Sequence, residues 1–236
     1  MSSDDFAELV LQRGADGIVF ETNSKAKQIY EIIRWRIVTL AMKPGEVINE
    51  HEIAEEFGVS RTPVREAVKK LEEEWLVSVQ RRTTVGQIMV PIVEQGMVIR
   101  QTLELLGIER AAERITDSQL DMLDERIYRM GRVMARGEFD GYLKIDDDFH
   151  RLINMFSGYP TMWQLIHQSK GHLDRVRHLS AFEPSYLGII NDQHIHIFKA
   201  LQARDASQAK EALRTHLDTT FERIRTLTSK LGKASG

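Results

Sequence analysis

The feature that most constrains this chain is a basic stretch at residues 59–71, which has the start signals of a helix that follows a tight turn. Ser60 occupies the position of an N-cap, and Pro63 lies in the first helical turn, where a missing N–H costs little. At about 100° per residue, one face of this helix is apolar and the adjoining arc is cationic. The apolar face consists of Val64, Ala67, Val68, Leu71 and Trp75, and the adjoining arc of Arg61, Thr62, Arg65 and Lys69. The stretch therefore predicts a helix that buries one side and presents cations beside it.

A shorter helix precedes this one. Asn49 and Glu52 are spaced as a capping box of the Asn type, which predicts a helix that begins there and continues through Ile53 and Ala54. Gly58 ends that helix, so only a tight turn separates the two. Two helices that meet in this way form the helix-turn-helix pattern of DNA-binding proteins.

Two β-prone runs follow, at residues 76–80 and 85–90, and the turn-capable segment between them contains Arg81 and Arg82. A helix-turn-helix followed directly by a hairpin with basic residues at its tip is a winged helix-turn-helix. An amphipathic helix with a solvated basic face is the plainer interpretation of a charged run. The cap, the turn, the helix face and the basic hairpin occur in order, and together they favour DNA binding.

Three short runs of this module, 43–46, 52–54 and 58–67, read Lys-Pro-Gly-Glu, Glu-Ile-Ala and Gly-Val-Ser-Arg-Thr-Pro-Val-Arg-Glu-Ala. With the hairpin, they resemble the GntR family of bacterial transcription regulators. The resemblance implies that Arg61 and Arg65 contact operator bases and backbone and that the wing reaches the neighbouring groove. The expected DNA-contacting residues are His51, Ser60, Arg61, Thr62, Arg65, Arg81 and Arg82.

The composition argues against several other classes of protein. The chain has 236 residues and a formal net charge of −3, so it has room for two domains and is not a globally basic DNA-compacting protein. It has no cysteine, which excludes disulfides and thiolate metal sites. No apolar run approaches the ~20 residues of a membrane span, and the acidic N-terminus is unlike a signal peptide. A cytoplasmic protein is expected.

The chain is expected to be mainly α-helical and to have four parts. Residues 1–23 form an arm, 24–91 the winged helix-turn-helix, 92–230 an all-α six-helix bundle and 231–236 a tail. A short linker near residues 91–95 joins the two domains. The six helices are expected at 94–114, 117–136, 138–157, 160–181, 184–204 and 206–230.

Four residues of the helical half have the chemistry and the spacing of a metal site. Asp146 and His150 are four residues apart, so they project from one face of a helix and can share an ion. His194 lies on the fifth predicted helix and His216 on the sixth, and a short turn between antiparallel helices brings them together. One carboxylate and three imidazoles suit Zn²⁺, Ni²⁺ or Mn²⁺. Spacing alone leaves open that these histidines are ordinary core or surface residues.

The surroundings of these positions carry a second resemblance. Phe149 precedes His150, and His194 stands seven residues before Leu201 in a run that ends Ala-Arg-Asp. This half resembles the FCD ligand-binding domain of the FadR subgroup, and the expected number of helices is similar to that of its VanR branch. The resemblance implies that the aspartate and the three histidines bind a divalent metal and that a small effector, commonly a carboxylate, lies against it.

Three arginines are candidates for holding the effector. Arg100 opens an Arg-x-x-Leu-Glu run, at a place where family members often carry an arginine near the effector. Arg175 and Arg177, on the fourth predicted helix, can each grip a carboxylate with two hydrogen bonds. The alternatives are a solvated arginine or one that is paired with Glu104 or Asp174.

The leading hypothesis is a metabolite-responsive transcription regulator that binds a palindromic operator as a homodimer. The alternative is a metal-dependent hydrolase, because a metal site with open positions can activate water. Against the hydrolase, the sequence places no glutamate or second carboxylate beside the metal residues as a general base, and it shows no nucleophile motif. An enzyme would also have little use for a basic helix and a basic wing.

Overall fold

A computed structural model describes residues 24–159, 161–179 and 184–234, and it divides the chain between Ile88 and Met89 into two compact units. The expected N-terminal arm and the end of the expected tail lie outside the described residues. Within them, the expectation of a mainly α-helical chain with one small hairpin is confirmed. No helix in this part of the chain is both long enough and apolar enough to cross a bilayer.

The first unit contains three helices and a two-stranded hairpin within the described residues. Its elements are α1 (Lys25–Val38), α2 (Glu50–Glu56), α3 (Arg61–Glu73), β1 (Val77–Val79) and β2 (Thr83–Val85). Helices α1 and α2 both pack on α3. The core between them is aliphatic and includes Ile33, Ile37, Val64 and Leu71, and burying each such side chain contributes about 1.5–3 kcal/mol.

The turn between α2 and α3 forms as the sequence predicts. The Asn49 side chain accepts a hydrogen bond from the His51 backbone N–H at 3.0 Å and donates one to Glu52 at 2.7 Å. After α2 the chain turns at Gly58, whose φ of +59° is readily adopted only by glycine. Ser60 occupies the N-cap position of α3, but its side chain makes no capping bond. The predicted helix-turn-helix is confirmed.

The buried face of α3 ends earlier than the helical wheel predicts. Val64, Ala67 and Val68 are buried as expected, but 55% of Trp75 is exposed. The helix ends at Glu73, and Trp75 has a left-handed backbone with a φ of +63°. The 100° period does not continue past the end of the helix, so the prediction that Trp75 lies inward is wrong.

The hairpin after α3 is the predicted wing. Strands β1 and β2 are antiparallel, with Val77 opposite Val85. The second strand begins at Thr83, two residues before the β-prone run predicted at 85–90. Thr83 is itself β-branched and joins the ladder. Arg81 and Arg82 lie between the two strands, so the expected basic tip is present.

Seven helices make up the described part of the second unit. They are α4 (Val90–Arg114), α5 (Asp117–Ala135), α6 (Phe139–Phe156), α7 (Met162–Ser169), α8 (Gly171–Leu179), α9 (Pro184–Gln202) and α10 (Ala206–Ala234). Helix α4 is central, since it packs against α6, α7, α8, α9 and α10. The helices that carry the expected metal residues, α6, α9 and α10, therefore all lie against one helix.

The fourth of the six predicted helices, at 160–181, forms two helices where the structure describes it, so the expected six-helix bundle is corrected to seven helices within the described residues. The interruption lies at Lys170, between α7 and α8. There the Ser169 carbonyl oxygen lies against α4, where a Cβ added to Gly96 would be only 2.7 Å away. Gly171, a poor helix former, opens the next helix. A 3.6-residue pattern continues across such a break, which is why the sequence does not predict it.

The remaining helix ends follow local signals. Thr116 forms a capping box with Gln119 at the start of α5, and Gly137 and Gly158 adopt a positive φ after α5 and α6. Helix α4 already begins at Val90, so the expected linker is helical, with a proline in its first turn. Helix α10 continues into the expected tail.

Candidate metal centre and nucleic-acid interface

The side chains predicted to contact DNA lie at the surface of the first unit. All seven are exposed, and they are His51, Ser60, Arg61, Thr62, Arg65, Arg81 and Arg82. Four of them stand at the N-cap and in the first two turns of α3, a helix whose other side is buried on α1. An exposed basic helix start and a basic hairpin tip can bring guanidinium groups to phosphates and base edges.

Two of these side chains have acidic partners on α2. Arg65 Nε lies 3.1 Å from Glu50 Oε2, and His51 Nε2 lies 3.4 Å from Glu55 Oε1. Exposed pairs of this kind contribute about 0.2–1 kcal/mol. The sequence does not single out Glu50, because it reaches Arg65 only through the packing of two helices. A phosphate or base edge that approached Arg65 would have to compete with this carboxylate.

In the second unit, the four predicted metal ligands meet in the interior. Asp146, His150, His194 and His216 each offer one ligand atom, and these atoms all lie within 4.8 Å of one another. At most 1% of each residue is exposed. Within the described ranges, this is the only group of three or more His, Asp or Glu residues with such geometry.

Three helices position the cluster. Asp146 and His150 are one turn apart on α6, while His194 lies on α9 and His216 on α10. Phe149 places its ring edge-on against two imidazoles, at centroid distances of 5.8 Å to His150 and 5.2 Å to His194. The rings of His194 and His216 are 4.4 Å apart. Phe149 thus packs against two of the imidazoles, and the ligand atoms of the cluster converge.

The candidate ligand atoms lie close together, but they do not fulfil one another's hydrogen-bonding capacity. His194 Nε2 lies 3.1 Å from Asp146 Oδ1, yet neither atom has an aligned hydrogen-bond partner. His150 Nε2 and His216 Nε2 lie 3.2 Å apart, and two neutral imidazoles share at most one proton between such atoms. Each unpaired buried polar atom costs about 1–3 kcal/mol. This geometry suits a cation that the nitrogen and oxygen atoms share.

The charge state of the cluster favours coordination. Burial opposes ionisation of Asp146, but Arg177, His194 and His150 outweigh burial and hold the pKa of this carboxyl well below its usual range. Burial lowers the pKa of His194, and burial together with the neighbouring imidazoles lowers the pKa of His216 well below its usual range. An ionised carboxylate and neutral imidazoles are the forms that bind a metal.

Two further side chains orient the ligand imidazoles. Glu104 Oε2 lies 2.6 Å from His150 Nδ1, and the Tyr142 hydroxyl lies 3.3 Å from His194 Nδ1. Partners of this kind fix the tautomer and the ring orientation of a metal ligand. The sequence gives no signal for Tyr142 and presents Glu104 only as a partner of the arginine four residues before it, because its contact with His150 depends on the packing of α4 on α6.

The three predicted effector arginines are placed differently. Arg177 Nη2 donates to Asp146 Oδ2 at 2.7 Å. Arg100 Nε donates to Glu104 Oε1 at 2.5 Å, which is one of the alternatives that the sequence leaves open, while its Nη1 and Nη2 have no partner. Arg175 is fully buried with unpaired nitrogens, and burial lowers its pKa to about 10. Because about 200° around α8 separates Arg175 from Arg177, the structure brings only Arg100 and Arg177 to the cluster.

Comparison with known proteins finds a family match in each half of the chain. Residues 25–86 match the family profile "Bacterial regulatory proteins, gntR family", and residues 95–219 match the profile "FCD domain". The "HTH-type transcriptional repressor RspR" of Escherichia coli (strain K12) is 36% identical over 201 residues, which cover 84% of this chain and 88% of that protein. The chain belongs to the GntR family.

Solved structures share the fold of this GntR-family protein. "E. coli McbR/YncC" superposes with a TM-score of 0.78 at 23% identity, and the match covers 89% of this chain and 100% of that one. A putative transcriptional regulator GntR from Rhodococcus sp. RHA1 superposes with a TM-score of 0.70 at 22% identity, covering 86% and 99%. The two family profiles and the similarity to RspR, rather than these structures, make the protein a GntR-family transcription regulator with an FCD domain and not an enzyme.

A carboxylate that the sequence does not place beside the metal residues lies there in this GntR regulator, because Glu104 Oε2 is 2.6 Å from His150 Nδ1. Glu104 is engaged by both His150 and Arg100, so it does not stand as a general base for water. Family membership, rather than the lack of a carboxylate, identifies the regulator.

The residues of the cluster fit a divalent cation. Metal–ligand distances of about 2.0–2.2 Å place the ligand atoms of one ion roughly 3–4 Å apart, and the atoms of this cluster lie within 4.8 Å of one another. Asp146 Oδ1 and His194 Nε2 are buried without aligned partners, as atoms that share a cation would be. Three imidazoles and one carboxylate suit Zn²⁺, Ni²⁺ or Mn²⁺.

Proposed function

We propose that the protein is a metabolite-responsive repressor that binds a palindromic operator as a homodimer and is controlled by a small carboxylate at a metal centre in its FCD domain. The observation that carries this proposal is the buried cluster of Asp146, His150, His194 and His216, whose unpaired atoms converge beside two buried arginines. Buried polar groups without partners destabilise a fold. Their presence therefore supports a site that is built for ligands.

The exposed face of α3 supports the DNA-binding part of the proposal. An arginine on such a helix can grip guanine O6 and N7 with two hydrogen bonds, and hydroxyl groups and wing arginines can hold phosphates. The proposed base contacts come from Arg61 and Arg65, and the proposed backbone contacts from His51, Ser60, Thr62, Arg81 and Arg82. The relative RspR is named a repressor, which supports the same direction of regulation here.

The proposed homodimer follows from the size of the module. One winged helix-turn-helix reads only a few base pairs, and two copies related by two-fold symmetry double the contacts on a palindrome. The short hairpin and the exposed basic face of α3 fit such a half-site reader.

The proposed cofactor is one divalent ion, Zn²⁺, Ni²⁺ or Mn²⁺, held by Asp146, His150, His194 and His216. When bound, such an ion supplies a positive charge and open coordination positions for effector oxygens, because four protein ligands do not fill a six-coordinate shell. The resemblance of the cluster positions to those of the FadR subgroup supports this arrangement, whereas the likeness to the VanR branch lapses with the expected six helices.

The proposed effector is a small carboxylate, and the buried arginines support this choice. Arg100 has two amino groups without partners, which can hold two carboxylate oxygens. Arg177 is the second proposed contact, since it already reaches the cluster through Asp146. Arg175 has unpaired nitrogens of the same kind, but it faces another side of α8, so its proposed effector contact is the weakest of the three.

The effector controls DNA binding only if its affinity differs between two arrangements of the protein, and such coupling is typically about 1–3 kcal/mol. The test therefore measures the metal content, the solution mass and the operator affinity of one protein preparation. We expect close to one divalent ion per chain by elemental analysis and a solution mass near twice 27.2 kDa.

In a gel-shift assay on DNA from its own promoter region, a panel of small carboxylates should include one that releases the protein. The release should disappear after the metal is removed with a chelator and return when the metal is restored. A protein that binds no metal, or one that responds equally well after chelation, contradicts the proposed switch. A monomer both free and on DNA contradicts the proposed dimer.

A further inference from the structure

Glu104 lies beside the metal cluster and has no role in the function proposed above. We propose that Arg100 and Glu104 form a relay that makes the metal affinity of His150 depend on an anion bound at Arg100, with Glu104 as a positioning residue. This inference rests on the proposed function, since it presupposes the metal and the anion. It adds a physical connection between the two.

The first step of the relay is the contact between Glu104 and His150. Glu104 Oε2 lies 2.6 Å from His150 Nδ1, and an ionised carboxylate can only accept, so the imidazole must donate from Nδ1. A neutral His150 therefore carries its proton on Nδ1 and presents a lone pair at Nε2. That atom lies 3.2 Å from His216 Nε2, on the side where the cluster converges. Glu104 thus selects the tautomer of His150 that can bind the metal.

The second step is the contact between Arg100 and Glu104. The two residues are one turn apart on α4, and Arg100 Nε donates to Glu104 Oε1 at 2.5 Å. Each is only 1% exposed, so water does not screen the pair. Glu104 therefore binds Arg100 with one oxygen and His150 with the other.

The third step concerns the far side of the Arg100 guanidinium. Its Nη1 and Nη2 atoms are buried and have no hydrogen-bond partner. These two amino groups form a donor pair that matches the two oxygens of a carboxylate. A carboxylate at this position would satisfy donors that the fold itself leaves unpaired.

The direction of the coupling follows from the charges. An anion on the amino groups of Arg100 offsets part of the guanidinium charge, so Arg100 attracts the Glu104 carboxylate less strongly. Glu104 then polarises the Nδ1–H of His150 more strongly, and its Nε2 becomes a better electron donor to a metal. Anion and metal therefore strengthen each other's binding, and thermodynamic reciprocity makes the two effects equal.

The experiment measures Co²⁺ affinity by its visible absorption, with and without acetate as the anion probe, and uses chloride at equal ionic strength as the reference. The wild type, Arg100→Gln, Glu104→Gln and the double variant are compared, together with a control variant. The double variant removes both members of a buried ion pair together, so it should fold more readily than either single variant, which leaves one charge buried without its partner. Glu109→Gln is the matched control, because Glu109 lies on the same helix but pairs with Lys210 outside the cluster.

We expect wild-type protein and Glu109→Gln to bind Co²⁺ with the same affinity, and acetate to tighten both by about fivefold or more. Glu104→Gln should bind Co²⁺ about 10- to 100-fold more weakly, with a shifted absorption spectrum and no effect of acetate. Arg100→Gln should keep the metal site but lose the acetate effect. The double variant should show no acetate effect either.

Acetate that tightens Co²⁺ binding equally in the wild type and in Glu104→Gln would show direct coordination of the metal and would overturn the relay. Wild-type affinity in Glu104→Gln, or a wild type that is indifferent to acetate, overturns it as well. A wild-type protein that binds no Co²⁺ at all would instead contradict the proposed metal centre. The two proposals can therefore fail separately.

Discussion

The candidate DNA-binding arginines of the first unit and the candidate effector arginines of the second lie in opposite surroundings. In the first unit, the arginines of α3 and of the wing are exposed to water. In the second, Arg100 and Arg177 are at most 9% exposed and are bonded to Glu104 and Asp146. The chemical group is the same, but its surroundings decide what it can do.

An exposed guanidinium stays hydrated and screened by salt, so it can exchange water for phosphate at little structural cost. A buried guanidinium is committed to one geometry, and removing one member of a buried ion pair typically costs about 3–5 kcal/mol. Substitutions of the exposed arginines in the first unit should therefore change DNA binding without changing the fold. Substitutions around the cluster should change metal binding, effector response or stability.

The largest effect is expected at the cluster itself. His194→Ala removes a ligand atom that lies 3.1 Å from Asp146, and the metal affinity should fall by more than the roughly 100-fold that loss of an outer partner produces. The variant should still bind the operator but no longer respond to the effector. Elemental analysis and a gel shift with effector measure both. His196→Ala, on the same helix but exposed, should behave as wild type, and a metal-loaded, responsive His194→Ala protein would rule out the assignment.

A smaller effect is expected at the base-reading face. Arg65→Ala should remove about 1–3 kcal/mol of discrimination between operator and unrelated DNA, because a two-bonded contact to guanine is lost. A competition gel shift measures this ratio. Arg65→Lys keeps the charge but not the paired geometry, so it should lose specificity while retaining general affinity. Full specificity in Arg65→Ala would mean that α3 is not the reading helix.

At the wing, the expected loss is smaller again and of a different kind. Arg81→Ala should weaken binding to all sequences alike. The slope of log affinity against log salt concentration should become shallower by about one, as expected for the loss of one phosphate contact. Titrations at several salt concentrations measure the slope. Arg110→Ala, an exposed arginine of the second unit, is the control that should leave the slope unchanged. A change of base preference in Arg81→Ala would instead indicate direct reading by the wing.

The smallest expected effect is a gain. Glu50→Gln releases Arg65 from a carboxylate 3.1 Å away, and an exposed pair of this type contributes about 0.2–1 kcal/mol. DNA affinity should therefore rise by up to about fivefold. Glu55→Gln removes the same charge from the same helix but from beside His51. If both variants tighten binding equally, the gain comes from overall charge and the contact with Arg65 has no part in it.

Much of this comparison could be predicted from the sequence, because its determinants are local. The spacing of Val64 and Val68 gives the buried face of α3, and the four-residue spacing of Asp146 and His150 gives half of the cluster. Capping residues and glycines such as Gly58 mark where the helices end. These signals act within one or two helical turns, so no knowledge of the packing is needed.

What could not be predicted depends on packing between distant segments. The contact of Glu104 with His150 joins residues 46 positions apart, and neither helix shows it alone. The break at Lys170 reflects the close approach of α7 and α4 at Gly96, which a helical period does not register. The outward position of Trp75 follows from a left-handed turn beyond the end of α3, where periodicity has no meaning.

Helix α4 begins two residues after the division between the units and runs from Val90 to Arg114 without a break, carrying Arg100 and Glu104 on the way. An α-helix rises about 1.5 Å per residue, so Val90 lies about 15 Å along the axis from Arg100. Its ladder of backbone hydrogen bonds makes it stiff, like a rod. A slide or rotation of α4 at Arg100 would therefore be passed along the helix axis to its first turn, with no break in the helix to absorb it.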